Sequence, residues 1–75
     1  MNKQRRKELD TIYRKIESLM QDLTTVCGEE EDAYENLPES FQESDRGETM
    51  YNAIDNMESA LSSLGEAMDY ILESV

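Results

Sequence analysis

The sequence contains no histidine and no tryptophan, and only one cysteine, one proline and one phenylalanine. Without histidine, no Ser/His or Cys/His nucleophile can be assembled within one chain, and neither can the usual four-ligand Cys/His zinc site. The lone Cys27 excludes an intrachain disulfide, and its place on the flank of an apolar helical stripe reads as an inert, partly buried thiol. The helical di-metal motif Glu-x-x-His is absent, and Glu29, Glu30, Glu31 and Asp32 lack the alternating oxygens and the glycine of a calcium loop. No catalytic, cofactor-binding or metal-binding residue is therefore assigned, and the expectation is a protein that is not an enzyme. Long apolar runs are also missing: nothing approaches the roughly 18–20 residues that a membrane span requires. The opening MNKQRRKELD has no apolar segment behind its basic residues to act as a secretion signal. The expected setting is soluble, reducing and cytoplasmic.

Positive charge is scarce and localised. Net charge is -11, yet residues 1–15 hold six of the seven basic residues (Lys3, Arg5, Arg6, Lys7, Arg14 and Lys15) against only Glu8 and Asp10. From residue 16 onward Arg46 stands alone among sixteen acids. Direct binding to nucleic acid or to an anionic membrane needs a dominant positive face, so the balance argues against both and favours a basic protein partner.

What the chain does have is helical periodicity. Leu9, Ile12, Ile16, Leu19, Leu23 and Val26 alternate spacings of four and three, and Ala33 and Leu37 keep the register past Gly28. Tyr13, Met20, Cys27 and Tyr34 widen this stripe on one flank. The spacing predicts one helix over about residues 3–35, with a break at Gly28 as the alternative, since an interior glycine costs about 1 kcal/mol. A second helix is predicted over about residues 45–74 from Met50, Ile54, Met57, Leu61, Leu64, Met68, Ile71 and Val75. Ala53, Ala60 and Ala67 recur every seven residues along its flank and allow close approach of another helix. Gly65, on the opposite flank, leaves room for a bulky group.

Between them lies the corner at residues 36–44, where Pro38 disfavours helix at Leu37. Ser40 and Glu43 have capping-box spacing, and Ser44 can cap the second helix. Phe41 is expected to plug the open end of the hairpin, and Arg46 to clamp nearby carboxylates. An antiparallel arrangement also sets the basic start beside Glu66, Asp69 and Glu73, which accounts for much of the charge asymmetry.

The fold class expected for residues 1–75 is thus all-α: a single-domain, long antiparallel helical hairpin. A chain this short rarely stabilises itself alone, and its apolar flanks exceed what one hairpin covers. Two hairpins dimerising into a four-helix bundle would bury both. The expected interface is Tyr13, Met20, Tyr34, Tyr51, Ala53, Ala60, Ala67 and Leu72. Candidate partner contacts are Phe41, Gln42 and Arg46 in the corner, with Tyr70, which lies off the seam among acids.

The run NLPESFQESDRGETM, followed by AIDNMESALSSL, resembles a family of small, acidic, uncharacterised helical proteins of phages and mobile elements of Gram-positive gut bacteria. Those share a basic MNKxRRK start and an NLPESxQxSxRGE corner; Thr24, Thr25, Cys27 and Gly28 depart from the charged positions usual in their first helix. The resemblance implies a bacterial host cell and a mobile genomic setting, and no reaction. Two readings follow. One is a non-enzymatic interaction protein that self-associates and binds a host or competing-element protein, its carboxylate rows imitating nucleic-acid phosphates. The other is a structural or accessory docking module, in which the acids serve solubility.

Overall fold

The computed structural model describes residues 1–75 and is helical, with no strand. Helix α1 spans Lys3–Glu35, α2 is a single turn at Glu39–Gln42, and α3 spans Asp45–Ser74. Asn2 starts α1 by accepting a hydrogen bond from the Arg5 amide at 2.8 Å, which satisfies one of the free N–H groups of the first turn. The helix passes through Gly28 unbroken. Just before that glycine, the hydroxyls of Thr24 and Thr25 donate to the carbonyls of Met20 and Gln21 four residues back, so two residues that could divert the backbone bond within the helix instead.

The long helices lie side by side in a rod of 58 × 15 × 12 Å. Three crossings fix their register. Tyr34 meets Tyr51, Cys27 lies with Glu58, and Met20 reaches to within 3.9 Å of where a Cβ on Gly65 would sit. Each crossing steps seven residues down α1 and seven up α3, which is an antiparallel heptad pairing. The small Gly65 admits the bulky Met20, as its flank position anticipates.

On α1, however, the seam is rotated from the predicted one. Its inward positions are Leu9, Tyr13, Ile16, Met20, Leu23, Cys27 and Tyr34, whereas Ile12, Leu19 and Val26 stay 44%, 60% and 52% exposed. The two sets flank the same row of Leu9, Ile16 and Leu23, and periodicity alone does not rank them. Facing α3 with two tyrosines and a methionine covers more area per level, and the gap at Gly65 accepts the methionine. The resulting core is thin: Cys27, Ile54 and Met68 are its only buried hydrophobic residues.

The corner is held from inside. Gln42 Nε2 donates to the carbonyls of Tyr34 and Leu37, both at 3.1 Å, supplying partners for the end of α1. Ser44 caps α3, its hydroxyl accepting from the Gly47 amide at 3.4 Å and donating to the carbonyl of Phe41. The Ser40 capping box does not form; Pro38 precedes α2 with no side-chain cap. Phe41 is 52% exposed rather than plugging the hairpin, because the single turn of α2 aims it outward. Arg46 clamps no carboxylate, and the basic start of α1 makes no ion pair with Glu66, Asp69 or Glu73; the single ion pair is Arg14 with Asp10 at 3.0 Å, within α1.

The first turn of α3 presses on the corner through Gly47, which is buried. A Cβ there would lie 2.5 Å from the Phe41 carbonyl oxygen and 2.6 Å from the Gln42 carbonyl carbon, both backbone atoms that cannot swing aside. Beside Gly28, by contrast, nothing lies within 4 Å. The two glycines predict opposite outcomes for one substitution. At fixed protein concentration, Gly47→Ala should lower stability by about 2–3 kcal/mol, roughly 10–20 °C in Tm for a chain of this size. Gly28→Ala should raise stability by up to about 1 kcal/mol. Thermal melts followed by circular dichroism check both.

Candidate functional surfaces

The heptad register gives the hairpin two unlike sides. On one, Glu17, Thr24 and Glu31 of α1 flank the seam opposite Tyr51, Glu58 and Gly65 of α3. The other side, by the same register, carries Ile12, Leu19, Val26 and Ala33 of α1 beside Ala53, Ala60 and Ala67 of α3.

The polar side holds a tight cluster of one thiol and two carboxyl groups. Donor atoms of Cys27, Glu31 and Glu58 lie within 4.8 Å of one another. Cys27 sits on the seam and is buried, and Glu31, one helical turn further on, accepts a hydrogen bond from its Sγ at 3.6 Å. Burial pushes the Cys27 thiol up, and the Glu31 carboxylate beside it adds to the rise, so the thiol keeps its proton and is a poor nucleophile. Glu58 is pushed above the ordinary carboxylate value, chiefly because its side chain hydrogen-bonds Glu31, then through loss of solvent and the Glu31 charge. As a ligand set, two carboxylates suit a hard cation while a protonated thiol suits none.

Toward the corner, the Tyr34 and Tyr51 rings stand 6.2 Å apart at 55°, a tilted aromatic pair that walls a shallow groove with Glu31, Glu35, Ile54 and Glu58. At the far end of α3, Glu66, Asp69 and Glu73 surround Tyr70, which is 71% exposed. The N-terminal end of the hairpin gathers Arg6, Asp10 and Tyr13 with Leu72 and Val75.

Among the residues singled out for self-association, Tyr13, Met20 and Tyr34 lie half-buried between the two helices of one chain. Ala53 and Ala67 are half-buried and Ala60 exposed on the apolar side; Tyr51 and Leu72 are exposed on the polar side. The eight residues therefore divide between the seam and two opposite sides. Of the candidate partner contacts, Phe41, Arg46 and Tyr70 are exposed, and the Gln42 amide is engaged at the end of α1. The Cys27, Glu31 and Glu58 cluster was not anticipated. The four-residue spacing of Cys27 and Glu31 is visible in the sequence, but placing Glu58 beside them requires the interhelical register. Comparison with protein-family models, curated proteins and solved structures finds no match for this chain.

The Glu58 shift sets a pH dependence. A carboxyl whose folded pKa is raised binds its proton more tightly folded than unfolded, so stability falls as pH rises from the ordinary carboxylate value through the raised folded value. Above that window the penalty is complete; below it, the penalty is gone. Glu58→Gln should accordingly raise Tm more at pH 7 than at pH 4, which lies below the ordinary carboxylate value. Paired melts at the two pH values measure the difference.

Proposed function

We propose that the protein is a non-enzymatic interaction protein that self-associates and binds a basic, nucleic-acid-binding protein of a bacterial host or of a competing mobile element, presenting carboxylates where that partner expects phosphates. The observation that carries this reading is the concentration of unpaired acid at one end of the rod. Residues 29–58 contain eleven of the eighteen acids and one base, Arg46, and none of these carboxylates takes part in an ion pair. Two antiparallel helices and a corner hold them on a narrow rod, where one end of a duplex-binding cleft could receive them. Carboxylates in such numbers keep a local negative potential that speeds encounter with a basic surface and excludes nucleic acid itself. The mobile-element setting implied by NLPESFQESDRGETM agrees with a role in blocking a competing or defensive protein.

A second reading, an accessory docking module, is favoured by the other side of the hairpin, where Ile12, Leu19 and Val26 lie exposed in line. Acid mimicry and docking through this face separate by competition. Immobilised protein is exposed to bacterial lysate, washed, and eluted with duplex DNA at constant ionic strength. Mimicry predicts that DNA releases bound nucleic-acid-binding proteins. Bound proteins indifferent to DNA would make the docking module the correct reading.

A further inference from the structure

We infer that the apolar side of the hairpin seats a second copy of the chain in reversed orientation, so that the two corners lie at opposite ends of a four-helix bundle. The spacing of the face is the first argument. Ile12, Leu19, Val26 and Ala33 descend α1 in heptad steps, and by the register of the Met20–Gly65 and Tyr34–Tyr51 crossings they stand level with Ser74, Ala67, Ala60 and Ala53 of α3. A two-fold axis across the rod, midway between the Leu19 and Val26 levels, maps these four levels onto themselves. Leu19 of one copy then faces Val26 of the other, and Ala60 faces Ala67, so a face of this spacing is self-complementary.

Area is the second argument. The chain exposes 5807 Å², roughly 1,100 Å² more than about 4,700 Å² for a compact folded monomer of 8.7 kDa. A standard interface removes about 800 Å² from each partner, so one such contact fits within the excess.

Charge selects the orientation. Only two two-fold arrangements stack the faces. With the axis along the rod, both corners meet at one end, bringing the two acid-rich segments together. With the axis across it, the basic residues 1–15 of each copy lie beside the acidic corner half of the other. In that arrangement Lys15 comes level with Glu30 of the second copy. Each lacks an ion-pair partner within its own chain, and Glu30 is a half-buried carboxylate at a position where the heptad calls for an apolar residue.

This inference rests on the self-associating interaction reading, and the test keeps their failures apart. Equal amounts of ¹⁴N- and ¹⁵N-labelled native chain are mixed, sized by light scattering and coupled with a zero-length carbodiimide reagent. Mixed-isotope cross-linked peptides are then identified by mass spectrometry. The expected result is a mass near twice 8.7 kDa, with mixed-isotope links from Lys15 to Glu30 and from Lys3 or Lys7 to Glu39 or Glu43. Leu19→Glu, at a position too exposed to support the hairpin itself, should return the mass to that of one chain with helicity kept. A monomeric wild type overturns the pairing, as do mixed-isotope links from the basic segment to Glu66, Asp69 or Glu73 of the second copy, or a Leu19→Glu chain that remains dimeric. A monomer that still yields DNA-released proteins would overturn the pairing and keep acid mimicry; a dimer that yields none would do the reverse.

Discussion

The register of α3 against α1 depends on a close backbone approach at the corner. Gly47 lets the first turn of α3 press against the carbonyls of Phe41 and Gln42, while the Gln42 amide holds the Tyr34 carbonyl at the end of α1 and the Leu37 carbonyl just beyond it. This fixes where α3 begins, and with a heptad pairing the start sets every level below it. Tyr34 against Tyr51, Cys27 with Glu58 and Met20 over Gly65 follow as successive steps of one alignment. The nine residues between the long helices are more than a simple turn needs, because they carry both the helix cap and the contact that aligns the pair.

That alignment has a consequence for energetics. A rod 58 Å long and 12–15 Å across has little interior, and three buried hydrophobic side chains are few for a stable fold of 75 residues. The seam takes one tyrosine, methionine or cysteine of α1 at each level, which leaves the line of Ile12, Leu19 and Val26 outside. Such a line of large aliphatic residues beside an alanine strip is unlike scattered surface apolar residues, since a second helical surface can cover it at close distance.

The helices were legible in the sequence because their signals are local. Alternating spacings of three and four, Pro38 after α1 and Ser44 before α3 act within a few residues, and Thr24 and Thr25 leave α1 intact because their hydroxyls bond inside it. The rotated seam was not legible: Ile12, Leu19 and Val26 on one flank and Tyr13, Met20 and Cys27 on the other have the same period, and only the partner helix chooses between them. The positions of Phe41 and Arg46 are not legible for a related reason. Chemical type points both to the bundle end, whereas Gln42 and Gly47, less conspicuous residues, do the closing.

Electrostatics then ties the two sides together. Glu31 and Glu58 approach closely enough that Glu58 holds its proton to higher pH than an ordinary carboxylate, so the hairpin already tolerates carboxylate repulsion across its polar side. Sixteen acids beyond residue 15 with one arginine among them make repulsion a general burden on folding. A local basic segment at one end of the rod relieves little of it within the chain, because its arginines and lysines make no cross-helix ion pair. The same segment placed along the acidic half of a second copy would relieve it on both molecules at once. A charge distribution that is unfavourable in one hairpin would therefore be partly relieved in such an assembly. The exposed line of Ile12, Leu19 and Val26 would supply its surface.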